Sequence, residues 1–121
     1  MNKTMENQLK AAGVNVDDLM ERLMGNMNLI TRFFKRFPDD KSYELLADSI
    51  SKGNTDEAFR AAHTLKGVCA NLSMTRLFDV ISKQVEYLRA GDIENGTRLM
   101  TEVTKEYESM IETIRNINWE Q

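Results

Sequence analysis

Apolar side chains along this chain recur three and four residues apart. Ala58, Ala62, Leu65, Cys69 and Leu72 form one such stripe. Met74, Leu77, Ile81, Gln84 and Leu88 form a second, interrupted by one amide, and Met100, Val103, Tyr107, Met110, Ile114 and Ile117 form a third. Tyr43, Leu46 and Ile50 supply a shorter fourth. This is the period of α-helices that bury one face, and stripes this narrow line the core of a helix bundle.

The residues between the stripes place the breaks. Gly13, Gly25, Gly53 and Gly91 each follow a segment that can be helical, as C-terminal caps do. Asn15 can cap a first substantial helix running to about Met24, and a second covers Met27 to Phe37. Pro38 ends that helix and can enter the first turn of the next, with Asp39 and Asp40 near its positive end. That helix should reach Lys52. Asn54 with Glu57 forms a capping box for a helix reaching Leu72. Ser73 or Thr75 restarts the chain into a helix ending near Ala90, which Ser73 can cap, and Asp92 caps a last one expected to continue to Ile117. The tail from Asn118 to Gln121 is expected to fray. The pattern predicts an all-α protein: an antiparallel four-helix bundle with additional short N-terminal helices packed across it. One domain should span 1–121, with its core at about 14–117.

Composition narrows the function classes. The chain has 121 residues, enough for one modest core. Its formal net charge of −3 offers no basic surplus for a phosphate backbone, so nucleic acid is not an expected partner. A single cysteine forms no internal disulfide and fits a reducing compartment. The N-terminal residues lack the apolar core of a signal peptide, and no apolar run approaches the ~20 residues needed to span a bilayer. A cytoplasmic protein without a membrane anchor is expected. Metal binding lacks ligands, with one histidine, one cysteine and no suitable cluster. No cofactor is expected.

The only histidine, His63, lies in Ala61-Ala62-His63-Thr64-Leu65-Lys66-Gly67-Val68-Cys69-Ala70-Asn71-Leu72. At about 100° per residue, the imidazole falls roughly 140° from the centre of the apolar stripe on its own helix. It should therefore face solvent. Phe59, Lys66, Gly67 and Ala70 share that side, with Arg60 just beyond. A lone helical histidine is often only a hydrogen-bonded or unremarkable surface residue. Here a mid-helix glycine, which costs about 1 kcal/mol of helix propensity, removes bulk one turn away. An imidazole with an ordinary pKa of about 6.5 is a good nucleophile near neutrality. Lys66 could neutralise part of the charge on a phosphorylated ring.

The run Ala62-His63-Thr64-Leu65-Lys66-Gly67 resembles the signature of histidine-containing phosphotransfer (HPt) domains. Asn71-Leu72-Ser73, Leu77, and Glu86-Tyr87-Leu88-Arg89-Ala90-Gly91-Asp92 also follow that family's pattern, as does the stretch from Phe33 to Asn54. The resemblance covers about Val14 to Ile114. It implies a phosphorelay carrier without autokinase activity. Such a carrier accepts a phosphoryl group from a receiver-domain phosphoaspartate and passes it to an aspartate of another receiver, in a response regulator or a hybrid sensor kinase. It also implies His63 as phosphoacceptor, Lys66 as the neighbouring cation and Gly67 as the residue giving access. Phe59, Arg60, Thr64 and Ala70 become the surface a partner meets. In the family a polar side chain from the adjacent helix often orients the imidazole. Gln84 is the candidate, although the position that aligns most naturally is Val85. Ser73 stands where the family commonly has glycine. A monomer is expected.

Other features have simpler readings. Cys69 lies on the buried stripe, as a small core residue. Met20, Met24 and Met27 could form an adaptable contact surface, but core packing is the simpler assignment. Phe33 and Phe34 cannot both be buried on one helix face, so one should cover the bundle end and the other join a docking surface. Two rival functions stay open: a helical adaptor that binds partners without phosphorylation, and an enzyme using His63 as a general base. The first needs neither Lys66 nor Gly67; the second lacks an orienting acid at evident spacing.

Overall fold

A computed structural model describes residues 1–120; Gln121, the end of the tail expected to fray, lies outside the described residues. Eight α-helices occur among them, with no strand: α1 (Lys3–Ala11), α2 (Val16–Arg22), α3 (Met27–Arg36), α4 (Ser42–Ser51), α5 (Thr55–Asn71), α6 (Thr75–Arg89), α7 (Ile93–Arg98) and α8 (Met100–Asn116). Side-chain carbonyls or carboxylates cap five of the starts. Asn2, Asn15, Asn26, Asn54 and Asp92 each accept a backbone N–H three residues on, satisfying donors that the helix itself leaves open.

The bundle consists of α4, α5, α6 and α8. Helix α5 packs along both α4 and α6, and α6 packs on α8. The stripes seen in the sequence are the core: Ala58, Ala62, Leu65, Cys69 and Leu72 are buried, as are Met74, Leu77, Ile81, Gln84 and Leu88. Tyr43 on α4 closes the ring against α8, where it stacks on Tyr107 with centroids 3.9 Å apart, and its hydroxyl pairs with that of Thr104 at 2.8 Å. Helices α1 to α3 cover one end through Met5, Leu9, Leu19, Ile30 and Phe34.

Several boundaries differ from the sequence expectation, each for a local reason. A helix precedes the one expected at Asn15: Met5 and Leu9, four residues apart, bury one face of α1. Pro38 does not enter α4. It sits in a short 3₁₀ turn, Phe37–Asp39, and α4 begins only at Ser42, whose amide bonds the Asp40 carboxylate at 2.9 Å. Ser73 does not cap α6. Its backbone is left-handed (φ 53°), the conformation glycine usually supplies after a helix. Its hydroxyl donates to Asp18 at 2.7 Å, tying the end of α5 to α2. That bond, and then Arg22, hold the Asp18 carboxyl below its ordinary range. The tail does not simply fray either: Trp119 donates Nε1–H to the Ile114 carbonyl at 3.0 Å, and its ring lies against Phe34. Met24 is not core; it is 91% exposed with a left-handed backbone, while Met20 and Met27 pack at the edge of the core. Asp79 and Lys83 make no ion pair among the described residues, whereas Glu94 and Arg98 do, at 3.1 Å.

The expected last helix is broken at Leu99 into α7 and α8. Gly96, three residues before this break, is where α7 meets α6. A Cβ there would lie 2.7 Å from Leu88 Cδ2 and 3.0 Å from its Cγ, so only glycine lets α7 approach α6 this closely. Gln84, fully buried on α6, donates Nε2–H to the Gly96 carbonyl at 3.0 Å and so shares the acceptor that an uninterrupted helix would reserve for the amide of Met100. Gly96→Ala should lower stability by about 1–3 kcal/mol despite alanine's better helix propensity, because the added methyl forces Leu88, buried in the core, to shift. Chemical denaturation against the parent chain measures this.

Candidate functional site

Helix α5 carries the site and is also the centre of the bundle. Burial of Ala58, Ala61, Ala62, Leu65 and Cys69 fixes its rotation, which turns the opposite side outward. His63 is exposed on that side. Gly67, one turn on, faces open space: nothing lies within 4 Å of where its Cβ would be. Ala70 is half-buried a turn further.

The aromatic and cationic side chains around His63 have specific partners. The His63 ring lies parallel to that of Phe59, centroids 5.9 Å apart and planes 4° apart. The Arg89 guanidinium, from α6, sits over the same Phe59 ring at 5.1 Å. Lys66 is half-buried, with its ammonium over the Phe78 ring of α6 at 5.6 Å. Neither His63 nor Lys66 has a hydrogen bond or ion pair among the described residues. Arg60 and Thr64 are exposed on the α4 flank, and the Thr64 hydroxyl is turned back onto the Arg60 carbonyl at 3.0 Å.

Shallow grooves border α5, and two of them carry exposed apolar walls. One, of about 330 Å³, runs between α4 and α5 along Leu45, Ala61, Arg60 and Thr64, with Leu45 57% exposed. The other, of about 240 Å³, lies near the C-terminal end of α5, where Phe33, Phe37 and Val68 form its apolar wall. Phe33 thus borders a surface groove while Phe34 is buried.

Gln84 is not brought to His63. It lies wholly inside the bundle, spends its N–H on Gly96, and has no hydrogen-bond partner for Oε1 among the described residues. The neighbouring Val85 is buried and apolar, so it offers no polar group either. The sequence reading also passed over Phe78 and Arg89. Eleven residues apart, they fall within about 20° of one another around α6, on the flank next to its apolar stripe, and that spacing was the signal available.

Cys69 is a buried thiol, pushed up to about 12 by burial and then by Asp40, so it stays protonated and inert near neutral pH. No cluster of three or more His, Cys, Asp or Glu side chains suited to a metal ion occurs among the described residues. No helix among them is long and apolar enough to cross a membrane.

The structure therefore belongs to a recognisable class: an all-α bundle that displays a solitary histidine beside a bare turn of a central helix. The family model of the Hpt domain matches residues 28–117, and the chain belongs to that family. HPt domains are phosphoryl carriers that work with receiver domains in two-component phosphorelays, by transfer through histidine. No curated protein and no solved structure matched the chain.

Gly67→Ala should fold normally and gain up to about 1 kcal/mol, since the added methyl meets nothing and alanine is the better helix former. This is opposite in sign to Gly96→Ala, and the same denaturation measurement reads both.

Proposed function

We propose that His63 is the phosphoacceptor of this HPt protein, loaded by a receiver-domain phosphoaspartate and emptied onto an aspartate of another receiver. One observation carries the assignment: in a family that transfers through histidine, the only histidine of this sequence is exposed, beside a helical turn that presents no side chain.

In the loading step, the lone pair of an unprotonated ring nitrogen attacks phosphorus. The P–O bond to the aspartyl carboxylate breaks, and the carboxylate leaves with the electron pair. The proton on the other ring nitrogen passes to water. Transfer onward reverses the sequence on a second carboxylate. Such chemistry asks a protein mainly for positioning and charge compensation. Lys66 supplies the charge: an ammonium held by Phe78 rather than by a carboxylate is available to a phosphoryl group. Gly67 supplies clearance for the receiver. Leu45 and Phe33, in the grooves flanking α5, offer apolar contacts on either side of the approach, with Phe59, Arg60, Thr64 and Ala70 nearer the imidazole. The chain has no autokinase activity, so nucleotide alone leaves it unlabelled.

Incubation with a phosphorylated receiver should give an acid-labile label that is absent in His63→Gln, with the helical circular dichroism unchanged. Lys66→Gln should keep the site but slow loading by about tenfold or more, the size expected for one lost charge-assisted contact. Gly67→Ala should slow loading from the receiver while leaving reaction with the small donor phosphoramidate intact. Label persisting in His63→Gln would overturn the assignment. Receiver binding with no transfer to any partner would favour the adaptor reading instead.

A further inference from the structure

An exposed imidazole with no hydrogen bond would normally rotate about its Cβ–Cγ bond. That rotation sweeps the in-plane lone-pair direction of each ring nitrogen around a cone about the bond. In-line attack on phosphorus uses only a narrow part of that sweep, and misorientation costs rate. Gln84, the amide expected to restrain the ring, is committed to Gly96 inside the bundle. Some other contact must restrain the ring if His63 is held at all.

We propose that the column Arg89–Phe59–His63 orients the imidazole, holding it by its face. The proposal rests on His63 being the phosphoacceptor. Phe59 precedes His63 by four residues, so the two side chains are neighbours on one face of α5. Their parallel planes and 5.9 Å centroid separation fall in the range of offset-stacked rings. Phe59 is half-buried, and the Arg89 guanidinium from α6 rests over it at 5.1 Å, within cation–π reach. Glu86 accepts from Arg89 Nε at 3.3 Å and steadies that end. The column thus ties the imidazole to two helices whose mutual packing is fixed by the core.

Holding by the face has a chemical consequence. A hydrogen bond to one ring nitrogen commits that atom and selects a tautomer. A stack engages neither nitrogen, so both stay at the open edge of the ring, one to attack and the other to release its proton. Phe59 and Arg89 are positioning residues in this scheme and touch no reacting atom.

The test separates orientation from docking. In the wild-type chain, the His63 ring protons should show an upfield ring-current shift in the NMR spectrum. That shift should vanish in Phe59→Leu and shrink in Arg89→Gln. Phe59→Leu should slow phosphorylation of His63 about tenfold from phosphoramidate, which docks on no surface, and at least as much from a phosphorylated receiver, as a lost orientation would. Phe59→Tyr should restore the rate to within about twofold, because it keeps the stack. Arg89→Gln changes only a half-exposed side chain and should fold in every case; a loss of about threefold from both donors is expected. Slowing from the receiver alone would make Phe59 a docking contact and overturn the proposal. So would a wild-type ring-current shift near zero. The NMR reading needs no phosphoryl transfer. If no donor labels His63, the assignment of the acceptor fails while the stack itself is still judged by its shift.

Discussion

The burial of one seam of α5 between two neighbouring helices is the constraint on which the rest of the molecule depends. Ala58, Ala62 and Cys69 are small, and with Leu65 they let α4 and α6 pack closely along the same helix. Fully burying one leucine stabilises by roughly 1.5–3 kcal/mol, whereas the contacts of the exposed imidazole are each worth about 1 kcal/mol or less. The core therefore decides how α5 is rotated, and the site accepts the result. His63 faces outward because the apolar side of its helix is held, and no interaction of its own is needed to put it there.

That hierarchy explains what was legible in the sequence. A helical stripe reports the buried side directly, so the four main helices and the outward direction of His63 could be read from spacing alone. Asn15, Asn54 and Asp92 were readable as caps for the same reason, since the capping bond is local. Features that depend on contacts between distant residues were not. Ser73 looked like a cap because serine caps helices; its left-handed backbone and its bond to Asp18 involve α2, fifty-five residues earlier. The close approach of α7 to α6 at Gly96 involves Leu88 and Gln84, eight and twelve residues earlier. Trp119 is ordered by Phe34, near the other end of the chain.

Gln84 shows the limit most clearly. A polar residue in an apolar stripe invites a functional reading, and the family resemblance supplied one. Position within the stripe argues the other way, since a seam residue points into the bundle and His63 points out of it. Both cannot hold unless the amide reaches past the core, and its burial and its bond to the Gly96 carbonyl hold it inside the bundle. The polar interruption is structural: one hydrogen bond joins α6 to the short α7, where the Leu88 side chain leaves no room for a Cβ at Gly96. The groups that do reach His63 and Lys66 from α6 are Arg89, through Phe59, and Phe78. They lie beside the stripe, where side chains are half-buried and can span the gap between helices.

A relay site gains from being sparse. A carrier must take up a phosphoryl group and also give it away, so any contact that holds the loaded form tightly raises the barrier to the next transfer. A carboxylate beside His63 would repel the phosphoryl group, and a second strong cation would retain it. This site has neither in direct contact with the ring. Half-buried Lys66 rests on the face of Phe78, an attachment worth about 0.5–2 kcal/mol. With His63 as the proposed phosphoacceptor, Lys66 would exchange that contact for a phosphoryl oxygen and return to it afterwards. An ion pair with a carboxylate would have placed a competing anion at the site. On the proposed assignment, the aromatic residues next to α5 would serve the same end as the bare turn at Gly67: they would restrain the reacting groups while leaving the phosphoryl group free to depart.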